Sequence, residues 1–302
     1  RFVQKDFDLE TDLMLRVFLL RLPDTNYLYV TAHHLVMDAV SFQILLADME
    51  TLYRQISQGK PVRLPAKSAS YQSYAEACSR ACETVNARET LDNSGFLCCG
   101  AAHRERFTVG EEATERFLTM GLGNYRNCGS EQTASDGRSM NAYDGVKQHR
   151  MGEMGRYGET PLGRMLPDEW LLSVFAAGMS ETLGLERVAC VREKHGRDLD
   201  GGPDVTRTVG WFTQTEFFLL YPAKAQALGS RIADLTKQFR CRKAARSGVG
   251  RPDLCLNNLG ECPPDNDIFQ LIEIVFDDDV GEENTFPCLC DVIAYVLHGR
   301  LR

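Results

Sequence analysis

The stretch TAHHLVMDAVSF, residues 31–42, sets two adjacent histidines at the end of an apolar run and an aspartate four residues past the second. Imidazole is the side chain whose unperturbed pKa lies nearest neutrality, so it can take and return a proton at physiological pH. His33 and His34 are therefore candidates for general acid/base chemistry. Asp38 is a candidate for shaping their loop, through hydrogen bonds or a buried ion pair, or as the N-cap of a following helix. On the pair alone, a structural or surface histidine is the simpler account.

The elements around these residues place them at a strand end. DLMLRVFLLRLPDTNYLYVTAHH reads as two short apolar strands joined at the turn signal PDTN, with the histidines closing the second. From Val40 the apolar positions Phe42, Ile44, Leu45, Met49, Leu52 and Tyr53 recur at helical spacing until Gly59 and Pro61. His33, His34 and Asp38 thus fall in a loop between strand and helix. Helical spacing resumes at Tyr71. A boundary near residue 104 divides a first lobe, 1–104, from a second, 105–302, which opens with a strand and an acid-led helix in RFTVGEEATERFLTMGL. Residues 127–160, rich in Gly, Ser and Asn, read as a mobile surface insertion. Beyond it come a helix in DEWLLSVFAAGMSETLG stopped by Gly184 and a strand in RVACVREKHGRD that runs into a charged loop. A strand after the turn TVGWFT, a helix in RIADLTKQF, strands in LCLNNLG and DVIAYVLHGRLR, and the acidic loop FDDDVGEENTF complete the chain. The mixture predicts an α+β protein with helices on one face of its sheet.

Composition bounds the function classes. The 302 residues suit two lobes, and a net charge of −8 argues against a general nucleic-acid binder. No uncharged apolar stretch approaches the ~18 residues of a membrane helix. The first residues lack the order of a secretory signal and an initiator Met, so the chain reads as an excised or incomplete piece. Eleven cysteines are an odd count without paired C-x-x-C spacing. Cys78 and Cys82 are one helical turn apart, Cys98 and Cys99 adjacent, and Cys288 and Cys290 on one strand face. Thiols in a reducing cytoplasm are expected, and no metal site.

Four stretches in order carry a family resemblance. HHLVMDAVSF is similar to H-H-x-x-x-D-G-x-S-W, EKHGRD (193–198) to E-G-H-G-R-E, TRTVGWFT (206–213) to R-T-V-G-W-F-T, and LNNLGE (256–261) to F-N-Y-L-G-Q. These resemble the condensation-type domains of nonribosomal peptide synthetases, and among them the epimerization domains. The resemblance covers most of the chain outside the insertion. It implies two chloramphenicol-acetyltransferase-like lobes in a V, the first one truncated here, with a dry tunnel between them.

It further implies epimerization, L to D at the α carbon, of an aminoacyl or peptidyl thioester held on a carrier protein's phosphopantetheine arm. By resemblance, His34 is the acid/base residue of the first lobe and Glu193 that of the second, with His33, Asp38 and Asn258 as structural support. No cofactor is bound directly. The implied partners are a peptidyl carrier protein domain and adjoining synthetase domains, in the cytoplasm, with neither nucleic acid nor membrane involved. Two other readings stand beside this one: a peptide-bond-forming condensation domain, and a degenerate, noncatalytic docking module for carrier protein. Four departures from the pattern bear on activity. Ala39 stands for Gly where positive φ or close approach could be needed, and Phe42 stands for Trp. Lys194 stands for Gly beside Glu193, where its charge would lower the carboxyl's pKa. Asn258 stands for Tyr and can still donate to an oxyanion.

Overall fold

The computed structural model describes residues 7–82, 89–90, 105–120, 167–199, 201–223, 227–241, 248–249, 251–263, 265–274 and 288–302. The insertion at 127–160, the boundary near 104 and the acidic loop after Val275 lie outside the described residues.

Strands β1 (Leu15–Arg21) and β2 (Asn26–Ala32) form an antiparallel hairpin, with Leu15 opposite Ala32 and Arg21 opposite Asn26. The Leu22 N–H donates to the Thr25 carbonyl at 2.9 Å and closes the turn. After the loop 33–38, α1 (Ala39–Ser57) begins at Asp38, whose carboxylate accepts from the Ser41 N–H at 2.7 Å. It ends before Gly59, whose φ of 64° suits a residue without Cβ. Helix α2 (Tyr71–Cys82) follows. A two-residue parallel pair joins β3 (Glu89–Thr90) to β6 (Gly248–Val249).

The second half is built on a five-stranded sheet of order β5-β4-β7-β8-β9. Its strands are β4 (Val188–Lys194), β5 (Gln214–Leu220), β7 (Leu254–Glu261), β8 (Cys290–Leu297) and β9 (Arg300–Leu301). The central pairs β4/β7 and β7/β8 are parallel, and the outer pairs are antiparallel. Helices α4 (Pro167–Leu183) and α5 (Leu228–Cys241) pack against this sheet and each other, with α3 (Glu111–Met120) beside α4 and β9. The sheet is mixed because β4, β7 and β8 run in the same direction, whereas β5 returns after the long 195–213 loop and β9 through the two-residue turn at His298 and Gly299.

Period-two alternation decides which side chains meet the helices. Val188 and Cys190 of β4, Leu254 and Leu256 of β7, and Ala294 and Val296 of β8 join Leu172, Ala176, Leu220 and Leu235 in one core. The other set, with Val191 and Glu193 of β4, Cys255 and Asn257 of β7 and Asp291 of β8, faces away from that core. The expected strand before α3 is not formed: residues 105–110 are irregular. Val109 N–H reaches the Leu301 carbonyl at 2.8 Å, but two-residue β9 is too short to template a further strand. Among the described residues, no helix is long and apolar enough to cross a membrane.

Leu172 is completely buried in the main core. Leu172→Ala is expected to cost about 2–5 kcal/mol in urea unfolding, the range for large-to-small core changes. A loss under about 1 kcal/mol would mean that this helix face does not carry the core.

Candidate active site between the two halves of the chain

The loop after β4 and the loop before β5 connect the two halves. Arg197 is buried and donates from Nη2 to Asp38 Oδ1 at 2.7 Å and to Ser41 Oγ at 3.0 Å. Its Nη1 donates to the carbonyls of Val205 (3.1 Å) and Thr208 (2.7 Å), and its guanidinium lies 3.9 Å from the Phe212 ring centroid. Asp38 also accepts from the Phe212 N–H at 3.2 Å. Ser41 Oγ donates to the Gly210 carbonyl at 2.9 Å and accepts from the Gly210 N–H at 3.0 Å. One buried carboxylate therefore caps α1, neutralises Arg197 and holds the 204–212 loop.

Two glycines permit this closeness. Gly196 has φ 61°, and a Cβ there would sit 1.8 Å from the Phe212 carbonyl oxygen. A Cβ on Gly210 would sit 2.4 Å from the Tyr71 ring. The Gly196 carbonyl accepts from the Tyr74 hydroxyl at 2.6 Å, and Tyr74 and Phe212 pack at 4.6 Å in a small second core.

This latch sets His34 and Glu193 near each other. His34 lies in the exposed turn after β2, its ring 5.9 Å from that of Trp211. Glu193 occupies the last turn of β4 pleating on the face away from the main core, half-buried. Burial pushes the Glu193 carboxyl above the ordinary glutamate range, and the negative Asp291 pushes it further. The nearby His34 and a hydrogen bond with Asn257 act in the opposite direction, more weakly. The carboxyl thus lies within electrostatic reach of the imidazole. Glu193 is half-buried, whereas His34 is open to solvent.

Other sequence-predicted residues fall elsewhere. His33 accepts the Leu35 N–H at Nδ1 (3.2 Å) and packs edge-on to Phe7, supporting its own turn. Asn258 is not brought to Glu193. Pleat alternation turns it to the helix side, where Nδ2 donates to Asp168 at 2.6 Å. Its neighbour Asn257 is the amide that meets Glu193. Lys194 likewise points to the opposite face and pairs with Glu216 at 2.9 Å, with Arg192 on the same carboxylate. Its charge does not appear among the influences on Glu193, so the expected lowering of that pKa is corrected. Ala39 is the first helical residue of α1, and among the described non-glycine residues only His298 has positive φ. The extra methyl meets no backbone strain. Arg197, Ser41 and Asn257 are not singled out from sequence as site-forming. The only signal for Arg197 was its place in the EKHGRD motif, and strand alternation could have separated Asn257 from Asn258.

Asp38→Asn keeps an N-cap side chain but removes the charge that Arg197 needs, so unfolding stability is expected to fall by about 3–5 kcal/mol. A fall under about 1 kcal/mol would reduce the pair to the level of a surface bridge. For Glu193, a raised folded-state pKa means that its favourable contribution is full below the unfolded value and lost as pH rises through the folded value. Glu193→Gln should therefore unfold later than the parent at pH 8, with the advantage disappearing near pH ~3, where the parent carboxyl is protonated in both states. An advantage independent of pH would contradict a burial-raised carboxyl.

Comparisons with known proteins bear on the whole. Residues 1–90 match the family model described as Condensation domain. The chain is 25% identical over 325 residues to surfactin synthase subunit 1 of Bacillus subtilis (strain 168), covering 99% of this chain and 8% of that protein. It is 27% identical over 254 residues to bacitracin synthase 3 of Bacillus licheniformis, covering 82% of this chain and 4% of that protein. In structure it is similar to the epimerization domain from the third module of tyrocidine synthetase B, at TM-score 0.68 and 21% identity. That match covers 97% of this chain and 66% of the other. A condensation domain that mediates chain release from the enacyloxin polyketide synthase matches at TM-score 0.53 and 13% identity, over 98% of this chain and 56% of that one. The chain spans under two thirds of each of these solved structures and a small fraction of the synthases. It has the mixed α/β fold of these solved domains, and it resembles condensation-type domains of nonribosomal peptide synthetases, an epimerization domain among them.

Proposed function

We propose that this chain epimerises an aminoacyl or peptidyl thioester presented on a carrier protein's phosphopantetheine arm, inverting the α carbon by general acid/base catalysis. The observation that supports it is the approach of His34, from the loop after β2, to Glu193, from the end of β4, with the carboxyl's proton affinity raised by burial. Inversion needs one group to remove the α proton and a second to deliver a proton to the opposite face. A neutral imidazole can accept the proton as the C–H bond breaks, leaving a planar enolate. A protonated Glu193 can then supply the new C–H bond. Running the same steps backwards exchanges the roles.

A carboxyl held in the ordinary range would be almost wholly ionised at neutral pH, so the environment of Glu193 suits the acid half of this exchange. The open side of His34 lets its proton equilibrate with water between turnovers. Trp211 flanks the imidazole and offers an apolar wall to the substrate side chain. The arm belongs to the partner carrier protein, and adjoining synthetase domains would pass the thioester on. A cytoplasmic setting follows from such partners.

With an L-aminoacyl pantetheine thioester loaded on a carrier protein, D-isomer formation is the direct readout. His34→Ala and Glu193→Gln are each expected to lower its rate by about 10² to 10⁴, the worth of one positioned acid or base. Peptide formation with an added acceptor amine, unchanged by Glu193→Gln, would replace epimerization by condensation. Carrier binding with neither product would leave a docking role and contradict the proposal.

A further inference from the structure

The face of the sheet that carries Glu193 also gathers two thiols and a carboxylate. Cys255 of β7 is the register partner of Asp291 of β8, and Cys288 sits just before β8 begins. One ligand-capable atom from each of Cys255, Cys288 and Asp291 lies within 4.8 Å of the other two. For three atoms so placed, some point lies within roughly 2.8 Å of all of them. That is about half an ångström more than the ~2.3 Å zinc–thiolate bond, a gap that side-chain torsions can close. Cys288 is buried, Cys255 half-buried and Asp291 exposed, so the cluster opens to solvent on the carboxylate side.

We propose that Cys255, Cys288 and Asp291 form a binding site for a thiophilic divalent cation of the zinc class. Two thiolates and one carboxylate give the cation three protein ligands, and the open side leaves a fourth position for water. Binding breaks two S–H bonds, forms two metal–sulfur bonds and releases two protons to solvent, so affinity rises with pH. No oxidant or reductant takes part. Hard cations such as Mg²⁺ are disfavoured, because they require octahedral oxygen donors. Spacing in the chain pointed away from a metal, since 33 positions separate the two cysteines; the β7/β8 register supplies the proximity that spacing conceals.

Co²⁺ is the probe, titrated into the whole chain with a phosphine reductant present to hold the thiols reduced. Thiolate-to-cobalt charge-transfer bands and intense visible bands of a tetrahedral ion are expected, saturating at one equivalent and removed by stoichiometric Zn²⁺. Cys288→Ser and Cys255→Ser should abolish the charge-transfer bands, and Asp291→Asn should weaken Co²⁺ binding at least ~10-fold while the parent circular dichroism is kept. Cys78→Ser, outside the cluster, should bind as the parent does. Absence of bands in the parent chain overturns the site. So does their persistence in folded Asp291→Asn with unchanged affinity, or their loss in Cys78→Ser. If either cysteine variant does not fold, the Asp291→Asn titration and the stoichiometry decide alone. The readout involves no turnover, so its failure is distinguishable from a failure of epimerization.

Discussion

The ion pair between Asp38 and Arg197 is the constraint on which the remaining geometry rests. A buried guanidinium cannot shed its charge, so a carboxylate must meet it. That carboxylate comes from a residue 159 positions earlier in the chain, at the head of α1. Asp38 has three obligations at once: the Ser41 N–H, the Arg197 guanidinium and the Phe212 N–H. Meeting them fixes α1, the 195–199 loop and the 204–212 loop in one arrangement. Gly196 and Gly210 are the places where this arrangement leaves no volume for a side chain. His34 and Glu193 each lie four positions before one partner of the pair, so locking Asp38 to Arg197 brings the imidazole and the carboxyl into range.

The sheet sorts charge by pleat. On the helix side of β4, Arg192 and Lys194 meet Glu216, with Asp168 and Asn258 nearby. These charges are mutually satisfied and hold the end of the sheet onto α4. On the opposite side, burial and Asp291 raise the proton affinity of Glu193, and His34 and Asn257 lower it more weakly. One strand thus carries a neutralised network on one face and an acid with raised proton affinity on the other. Acid/base chemistry needs this second kind of environment, and stability is served by the first. The thiols of Cys255 and Cys288 lie outside the main core, so their proximity is not a product of its packing.

Much of this was legible from residues. The hairpin, α1, the acid-led α3 and the stop of α4 at Gly184 all follow from periodicity and turn signals that tertiary packing did not override, whereas the single last strand expected in DVIAYVLHGRLR folds back at His298 and Gly299 into β8 and β9. The four ordered motifs single out His34 and Glu193, which the fold brings within electrostatic reach of each other. Contacts that depend on register were not legible. Adjacent residues in a strand look equivalent in a motif, yet Asn257 and Asn258 face opposite layers, and Lys194 leaves Glu193 for Glu216 because pleating turns successive side chains apart. The Asp38–Arg197 pair was half visible, as an aspartate seeking a partner whose identity only the crossing of two loops could name. The strand expected before α3 failed because β9 offers too short an edge.

The central claim is that one imidazole and one carboxyl serve opposite faces of a single carbon. It is tested most directly by α-proton exchange in heavy water, measured separately from L- and D-aminoacyl thioesters on the carrier protein. The account predicts that His34→Ala loses exchange from one antipode and Glu193→Gln from the other, each retaining slow exchange without inversion from the remaining one. Loss of exchange from both antipodes in one variant and from neither in the other would assign both proton transfers to one group and contradict the two-sided site.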